Sequence, residues 1–482
     1  MNRAGFLPGV EQSDVAWRRL TFGTAHQRID IEVPQLTPAQ LAMLAQRVRT
    51  AGFAYLRQLP LAQIIATIDE AVAKLLERNN PYRREADALL PAITGYDAQM
   101  VRLGLTQYLK TFRAPQLRKF VAEDFSDPLV LDHFQPMRKG GYARAYGPAL
   151  LLQIWAGNVP ALSLWSLVCA LLVKAPSIGK LASAEPLFAG LFARLLADID
   201  PKLGECLAVV WWEGGDEARE AALLERADVV LAYGGNASLE SLRARTPITT
   251  RCLAYGHKVS FGVVTRSALK PDKAWSVAHD AAYDIIRYDQ QGCYSPHVFF
   301  VERGGRVSPR EMAAYLASEL AAFEKKYPRR ALSMSESGAL AAWRNTEQTR
   351  ALTATGRAVV ADELGAWAVS FTDSLEALSA SALDRTVKVI AVERWTDVLE
   401  QVAPFRAVLQ TVGVAASPEE LFDMAEAFGR TGVTRISAVG HMTAPEAGWH
   451  HDGRFNLLDL VTITEVESSA ESAAESFASY VD

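Results

Sequence analysis

The stretch Ala149-Leu-Leu-Leu-Gln-Ile-Trp155 is an apolar run of strand length, and it is followed by a helix-length apolar run over 162–172 and a second short run, Ser177-Ile-Gly-Lys-Leu181. Working outward in the chain, the order repeats. Residues 186–198 read as a helix, Cys206 to Trp212 as a strand, 217–226 as a helix, Asp228 to Ala232 as a strand and 238–245 as a helix. Short, nearly continuous apolar strands alternating with helices predict an α/β fold whose parallel sheet is covered on both faces. Such sheets bind nucleotides at the carboxyl ends of their strands. The turn Tyr233-Gly-Gly-Asn-Ala-Ser238 falls at one of those ends, directly before a helix, where unpaired N–H groups and the helix dipole can hold a phosphate. This makes Gly234 and Gly235 candidate cofactor-binding residues. The turn does not match Gly-x-Gly-x-x-Gly, and a Gly-Gly turn after a strand is also an ordinary connection.

On the N-terminal side the first 140 residues read as mainly helical, with Leu41, Leu44 and Val48 and then Leu61, Ile65, Ile68 and Val72 at helical spacing. The basic residues Arg102, Lys110, Arg113, Arg118 and Lys119 read as solvated helix surface. On the C-terminal side a second α/β region is predicted from about Gly262. It has a helix over 274–288, a strand over 298–301, a helix from Ser308-Pro309 with Glu311 completing a capping box, a strand over 386–392, an apolar run over 408–414, a helix capped by Ser417-Pro418 and a last strand over 460–466. The small, acidic ending is expected to be disordered.

With 482 residues the chain exceeds what one hydrophobic core supports. Its 50 basic against 55 acidic residues, net charge -5, and lack of a dense basic stripe argue against nucleic-acid binding. The four cysteines, at 169, 206, 252 and 293, have neither Cys-x-x-Cys spacing nor a histidine cluster, so neither a disulfide scaffold nor a metal site is expected. The N-terminus carries no secretory pattern, which places the expected compartment in the cytoplasm. The apolar stretch 159–175 is broken by Pro160, Ser163, Ser166 and Lys174, so it reads as a buried helix and no membrane span is expected.

One cysteine stands apart. Tyr288-Asp-Gln-Gln-Gly-Cys-Tyr-Ser-Pro-His297, followed at once by Val298-Phe-Phe-Val301, sets Cys293 in a turn before a strand, with Gly292 allowing a tight turn and Pro296 barring a helix. Cys293 is a candidate nucleophile there, although an unpaired cysteine is commonly a small buried hydrophobe. Paired with His297 it could form the dyad of an acyltransferase or thioesterase.

Several segments together resemble the acyl-CoA and acyl-protein thioester reductases of the LuxC type, a divergent branch of the aldehyde dehydrogenase superfamily. They are "AGNVPALSLWSLVCALLVKAPSIGKLASAEPLF" at 156–188, "LAYGHKVSFGV" at 253–263, "YDQQGCYSPHVFFVE" at 288–302, "VLQTVGV" at 408–414 and "GWHHDG" at 448–453. The resemblance implies an aldehyde dehydrogenase-like fold, with two doubly wound parallel-sheet domains and a bridging arm for oligomerisation. It divides the chain into an N-terminal helical extension (1–90), a nucleotide-binding domain (91–261), a catalytic domain (262–430), a bridging segment (431–466) and a disordered tail (467–482). Cys293 then matches the superfamily's nucleophile and Asn158 the amide donor to the oxyanion. Lys180 matches the lysine that binds the adenosine ribose. Ser183 stands where many NAD-using relatives carry a glutamate, which favours NADPH, since a carboxylate would repel a 2′-phosphate. Ala254 or Tyr255 occupies the place of the glutamate that activates water in aldehyde-oxidising relatives, so an acyl enzyme would be spared hydrolysis. The implied activity is NADPH-dependent reduction of a fatty acyl thioester, from CoA or an acyl-protein, to the aldehyde through an S-acyl cysteine. A synthetase that delivers the acyl group is an implied partner. The nearest alternative within the same chemistry is a short-chain CoA-acylating aldehyde dehydrogenase.

Overall fold

The computed structural model describes residues 2–24 and 27–479. Two parallel sheets organise the chain. The first is built from β1 (Leu151–Ile154), β2 (Ser177–Lys180), β3 (Leu207–Val210), β4 (Val229–Tyr233) and β5 (Arg251–Tyr255), in the order β5-β4-β1-β2-β3 with every neighbour parallel. The second has seven strands: β6 (Val259–Val264), β7 (Pro296–Glu302), β8 (Arg357–Ala361), β9 (Ala368–Thr372), β10 (Thr386–Val392), β11 (Leu409–Ala415) and β12 (Arg435–Ala438). Their order is β8-β9-β10-β7-β6-β11-β12, parallel apart from the β8–β9 hairpin. Every residue of β3, β7, β9 and β10 is buried, as in strands covered on both faces, and their sequences are accordingly rich in apolar residues without a strict alternation.

The strand order reverses at β1. From β1 the chain moves to β2 and β3 on one side, then crosses to β4 and β5 on the other, leaving the switch point between β1 and β4. Helix α1 (Ser163–Leu172) follows β1, and α2 (Asn236–Arg245) follows the Gly234-Gly235 turn. β5 ends at Tyr255 and β6 begins at Val259, so the carboxyl edge of the first sheet adjoins the amino edge of the second.

The first 90 residues depart from the helical expectation. Ala16–Thr24 and Gln27–Gln35 form an antiparallel hairpin, and Asn2–Arg3 adds a third strand. The cause is local: Ile29, Ile31 and Val33 alternate with Arg28, Asp30 and Glu32, a period of two that fits a half-buried strand. Nor does 1–90 fold apart, because Ile31, Ile64, Ile68 and Leu90 share one hydrophobic core with Leu151, Leu171 and Val209. The backbone of Phe6 pairs with Val209, and Gln35 bridges to Trp211, closing the exposed edge of β3. The final segment also differs: Ser468–Glu475, rich in alanine and glutamate, forms a helix, although none of its residues is buried.

A three-stranded sheet joins Thr462–Val466, Tyr142–Tyr146 and Gln135–Pro136. Among the described residues, no helix is long and apolar enough to cross a membrane.

Candidate active site

Helix α3 (Ala274–Ile286) ends at a sharp reversal that delivers the cysteine turn. Tyr288, Asp289 and Gln290 have φ of 49°, 48° and 63°, three successive non-glycine residues in the left-handed region. Such positions cost about 1–3 kcal/mol each and persist only when their surroundings over-determine them. Here they are tied from several directions. Asp289 Oδ1 accepts from Arg385 Nε at 2.7 Å, with both side chains 2% exposed, and its Oδ2 accepts from the Arg330 N–H at 3.2 Å. The Gln290 amide donates to the carbonyls of Pro296 and Thr386 at 2.8 and 3.0 Å. Arg385 belongs to a second left-handed run, Leu383-Asp384-Arg385, and the Asp384 N–H donates to the Asp289 carbonyl at 3.1 Å.

Gly292 is needed for space rather than for an unusual φ: a Cβ there would sit 2.3 Å from the Tyr294 ring. Pro296 opens β7 instead of merely blocking a helix. Between them Cys293 is partly buried at the amino end of β7. Its carbonyl accepts from Ser260 Oγ on β6 at 2.8 Å, and Ser260 Oγ accepts in turn from the Thr411 N–H on β11 at 3.1 Å. The Cys293 sulfur accepts from Gln410 Nε2 at 3.3 Å, and the same Nε2 donates to Asp452 Oδ1 at 2.7 Å. Burial pushes the Cys293 thiol up to about 11, against the lowering influence of the Gln410 donor. At neutral pH the resting sulfur therefore carries its proton.

Asn158 reaches this turn from the other sheet. It lies four residues beyond β1, and its Nδ2 donates to the Gln291 carbonyl at 2.5 Å, while its own carbonyl accepts from Tyr96 Oη at 2.8 Å. One Asn158 N–H remains free, and the Cys293 N–H takes no partner among the described residues. Asn158 of the first sheet is thus bonded to the turn that carries Cys293 on the second.

His297 does not serve as a base. Its Nδ1 accepts from the Ser381 N–H at 3.0 Å, so the proton of the neutral ring is on Nε2 and no free lone pair is left for a thiol. Burial pushes it down to about 4, which keeps it neutral. His451 is also held neutral, pushed down to about 4 by burial. Its ring stacks on Tyr255 at 4.5 Å with a 12° tilt, and Tyr255 stacks on Tyr233 at 5.0 Å. This column of neutral rings joins the ends of β4 and β5 to the segment 448–453. Ala254 is exposed on the edge strand, and no carboxylate projects from either Ala254 or Tyr255.

The remaining cofactor candidates lie along the carboxyl edge of the first sheet. Lys180 ends β2, with Nζ 5.8 Å from the Trp212 ring, and burial lowers its pKa from the ordinary lysine value. Ser183 is exposed; its Oγ accepts from Trp211 Nε1 at 3.1 Å, which leaves the hydroxyl hydrogen available. The loop holding it is fixed by buried Glu185, whose Oε1 accepts from the Leu187 and Phe188 N–H groups at 2.8 and 2.9 Å. Gly235 caps α2 with no side-chain hydrogen bond, so the N–H groups of that first turn are open, and Gly234 has no neighbour crowding it. Lys180 at the end of β2, Ser183 in the loop that follows it and Gly234-Gly235 just beyond β4 lie on one edge, and offer donors or positive charge. No group of three or more metal-ligating side chains occurs among the described residues.

Sequence reasoning did not single out Gln410, Asp452 or Ser260. All three lie inside quoted segments, "VLQTVGV", "GWHHDG" and "LAYGHKVSFGV", but nothing in those strings says that they meet at the cysteine.

Comparison with known proteins places this geometry in context. Residues 56–463 match the family described as acyl-CoA reductase (LuxC). The chain is 25% identical over 410 residues to a long-chain acyl-protein thioester reductase of Photorhabdus luminescens, covering 83% of this chain and 81% of the relative. It is 26% identical over 396 residues to the protein of the same description from Aliivibrio fischeri, covering 81% and 78%. Among solved structures it is similar to aldehyde dehydrogenase 21 from Physcomitrella patens, with TM-score 0.73, 14% identity, and 96% and 98% of the two chains covered. An aldehyde dehydrogenase from Brucella melitensis superposes with TM-score 0.72 at 13% identity, over 96% of each chain. The fold is that of the aldehyde dehydrogenases.

Proposed function

The chain belongs to the acyl-CoA reductase (LuxC) family, and we propose that it reduces a fatty acyl thioester to the aldehyde by way of an acyl group held on Cys293. The observation that carries this reading is the meeting of Asn158 with the cysteine turn across the two sheets, through the 2.5 Å bond to Gln291.

In the first half-reaction the Cys293 sulfur attacks the thioester carbonyl. The thiol gives up its proton, and the departing thiolate of CoA or of an acyl carrier takes one up, leaving as a free thiol. The Cys293 N–H and the spare N–H of Asn158 face the oxygen as it gains charge; a donor of this kind is worth about a hundredfold to a thousandfold in rate. In the second half-reaction a hydride converts the S-acyl group to a thiohemiacetal, held by the same donors. Its collapse breaks the C–S bond, releases the aldehyde and returns the sulfur as thiolate, which recovers a proton. Between the two halves water must not reach the acyl group. No carboxylate stands at 254 or 255 to activate it, and the Tyr233–Tyr255–His451 column packs rings at that place.

A nicotinamide cofactor supplies the hydride when bound, and the donor set of the first sheet's carboxyl edge fits one. The open first turn of α2 and the Gly234-Gly235 backbone suit a pyrophosphate, and Lys180 and Ser183 suit the adenosine ribose. The free hydroxyl hydrogen of Ser183 would donate to a 2′-phosphate, which supports NADPH over NADH. Thr462–Val466, whose Ile463 is 42% exposed, is an edge strand that suits pairing between copies of the chain in an oligomer. The physiological acyl donor is CoA or an acyl-protein supplied by a synthetase, in a cytoplasmic pathway of light emission or of lipid metabolism.

Incubation with a labelled acyl-CoA in the absence of NADPH is expected to leave one covalent acyl adduct on Cys293, discharged as aldehyde when NADPH is added. Persistent labelling or aldehyde formation by Cys293→Ala would sink the mechanism. NADPH oxidation measured along an acyl chain-length series, with and without acyl carriers, identifies the donor.

A further inference from the structure

We propose that Asp452 and Gln410 are positioning residues for the nucleophile: Asp452 fixes the orientation of the Gln410 amide so that an N–H, rather than the carbonyl, faces the Cys293 sulfur. The assignment rests on reading Cys293 as the acylated residue, but the device itself concerns only the sulfur and its neighbours.

A glutamine amide can present either a donor or an acceptor to a neighbouring group, and the two ends are close in shape. Which end faces the sulfur matters chemically. An N–H stabilises the thiolate and opposes the S–H form, whereas a carbonyl oxygen would accept the S–H proton and hold the thiol protonated. Asp452 settles the choice, because an ionised carboxylate only accepts. With its Oδ1 2.7 Å from Gln410 Nε2, the nitrogen end must lie on the side shared by Asp452 and the sulfur, and both of its hydrogens are then used, one on each. Gln410 Oε1 is left pointing elsewhere, buried and without a hydrogen-bond partner. A buried amide oxygen without a partner is costly, so an amide free to choose would not adopt this orientation. The carboxylate imposes it.

Asp452 is itself built into place. Its φ is 54°, in the left-handed region, within Trp449-His-His-Asp-Gly453. Its side chain is only 7% exposed; Lys258 Nζ lies 3.7 Å from Oδ2, and His451 Nε2 lies 3.9 Å from Oδ1. The charged and titratable groups around the sulfur are thus Asp452 from the 448–453 segment, with Lys258 and neutral His451 behind it, Arg435 from β12, and Tyr294 from the cysteine's own turn. Asp452 acts on the thiol in two opposed ways. Its charge disfavours the thiolate directly, while its hold on Gln410 favours it, and the Gln410 hydrogen bond is the larger influence.

That opposition supplies the test. Alkylation of the full-length protein by iodoacetamide is followed by peptide mapping, which separates Cys293 from the other three cysteines, across a pH series and without acyl substrate. Asp452→Asn removes the charge and frees the amide to turn. The proposal expects its Cys293 alkylation at a fixed pH below the thiol pKa to fall by about tenfold, one pH unit of thiolate fraction. Gln410→Met, close in length and without a donor, is expected to fall similarly. In the Gln410→Met background, Asp452→Asn should now raise alkylation, because only the charge effect remains. A rise on Asp452→Asn in both backgrounds, or no change in either, overturns the proposal. Should Gln410→Met fail to fold, Asp452→Glu serves alone beside Asp452→Asn: restored alkylation supports the orienting role, and equal loss in both refutes it. Alkylation reads the thiol without any reduction, so these outcomes stand apart from failure of the acyl-reductase reading, which the acyl-labelling experiment decides.

Discussion

The two parallel sheets meet at the site with opposite polarity. The five-stranded sheet offers the carboxyl ends of β1, β2 and β4, bearing Asn158, Lys180 and Gly234, while the seven-stranded sheet offers the amino ends of β6, β7 and β11, bearing Ser260, Cys293 and Gln410. At the first edge helices begin, so free N–H groups and the positive end of the helix dipole welcome an anion. At the second edge helices end: α3 runs down to Ile286, and its negative end points toward the cysteine turn. A thiolate gains stability at a helix N-terminus and none at a C-terminus. Cys293, raised by burial and with no helix N-terminus beside it, depends on an individual side-chain donor, Gln410, to favour its thiolate. One edge presents open backbone N–H groups; the other surrounds its thiol with side-chain partners.

The largest effect that would break this comparison comes from the sulfur. Cys293→Ala is expected to lower aldehyde formation by at least about a thousandfold, as loss of a covalent nucleophile does, with NADPH binding by fluorescence titration unchanged. Undiminished turnover would mean that the second edge holds no nucleophile. Asn158→Ala should cost about a hundredfold to a thousandfold in kcat, the value of one oxyanion donor, again without change in cofactor affinity. A loss confined to KM would reassign Asn158 to binding.

The resting thiol makes the next prediction. Since burial pushes Cys293 up to about 11, its thiolate fraction at pH 7 is small and rises about tenfold per pH unit. The rate of Cys293 alkylation should therefore climb by about a hundredfold from pH 7 to pH 9, without a plateau in that interval. A plateau near neutrality would point to a general base that the geometry lacks.

Smaller in effect on activity, but specific to the support of the second edge, is the Asp289–Arg385 pair. Removing one partner of a buried ion pair costs about 3–5 kcal/mol, because the other charge stays buried without compensation. Arg385→Met should lower the thermal midpoint by several degrees and disorder the cysteine turn, seen as altered protease cleavage near 288–293. At the first edge, Ser183→Glu should shift preference from NADPH toward NADH by about tenfold, measured as the ratio of kcat/KM for the two cofactors. An unchanged ratio would remove Ser183 from cofactor recognition.

The alternation of strands and helices from 149 to 245 follows directly from short apolar runs, and the observed strands match the segments so read, with β4 running one residue further to Tyr233. Local rules are also enough for the helix at Pro309–Lys326, where Ser308 and Glu311 form the capping box that their spacing implies. The N-terminal hairpin carried its own signal in Ile29, Ile31 and Val33, masked by the strong helical spacing that follows. By contrast β12 and the β8–β9 hairpin are defined by the strands they pair with, and their sequences are only moderately apolar. In the candidate site, Cys293 stood out because glycine and proline punctuate its turn. Gln410 did not, since a glutamine within an apolar strand has no local mark, and its partner lies 117 residues away in the chain.

The sequence by itself therefore determined the class of fold, the alternation of strands and helices from 149 to 245 and the turn that displays Cys293, because these depend on periodicity, capping and chain punctuation within a few residues. Tertiary structure alone decided which groups converge on the sulfur, that His297 is turned away to Ser381, and that neutral rings stack at the end of β5 in the column of Tyr233, Tyr255 and His451. Those outcomes depend on contacts between residues far apart in the chain, whose burial and donor geometry exist only once the two sheets have packed edge to edge.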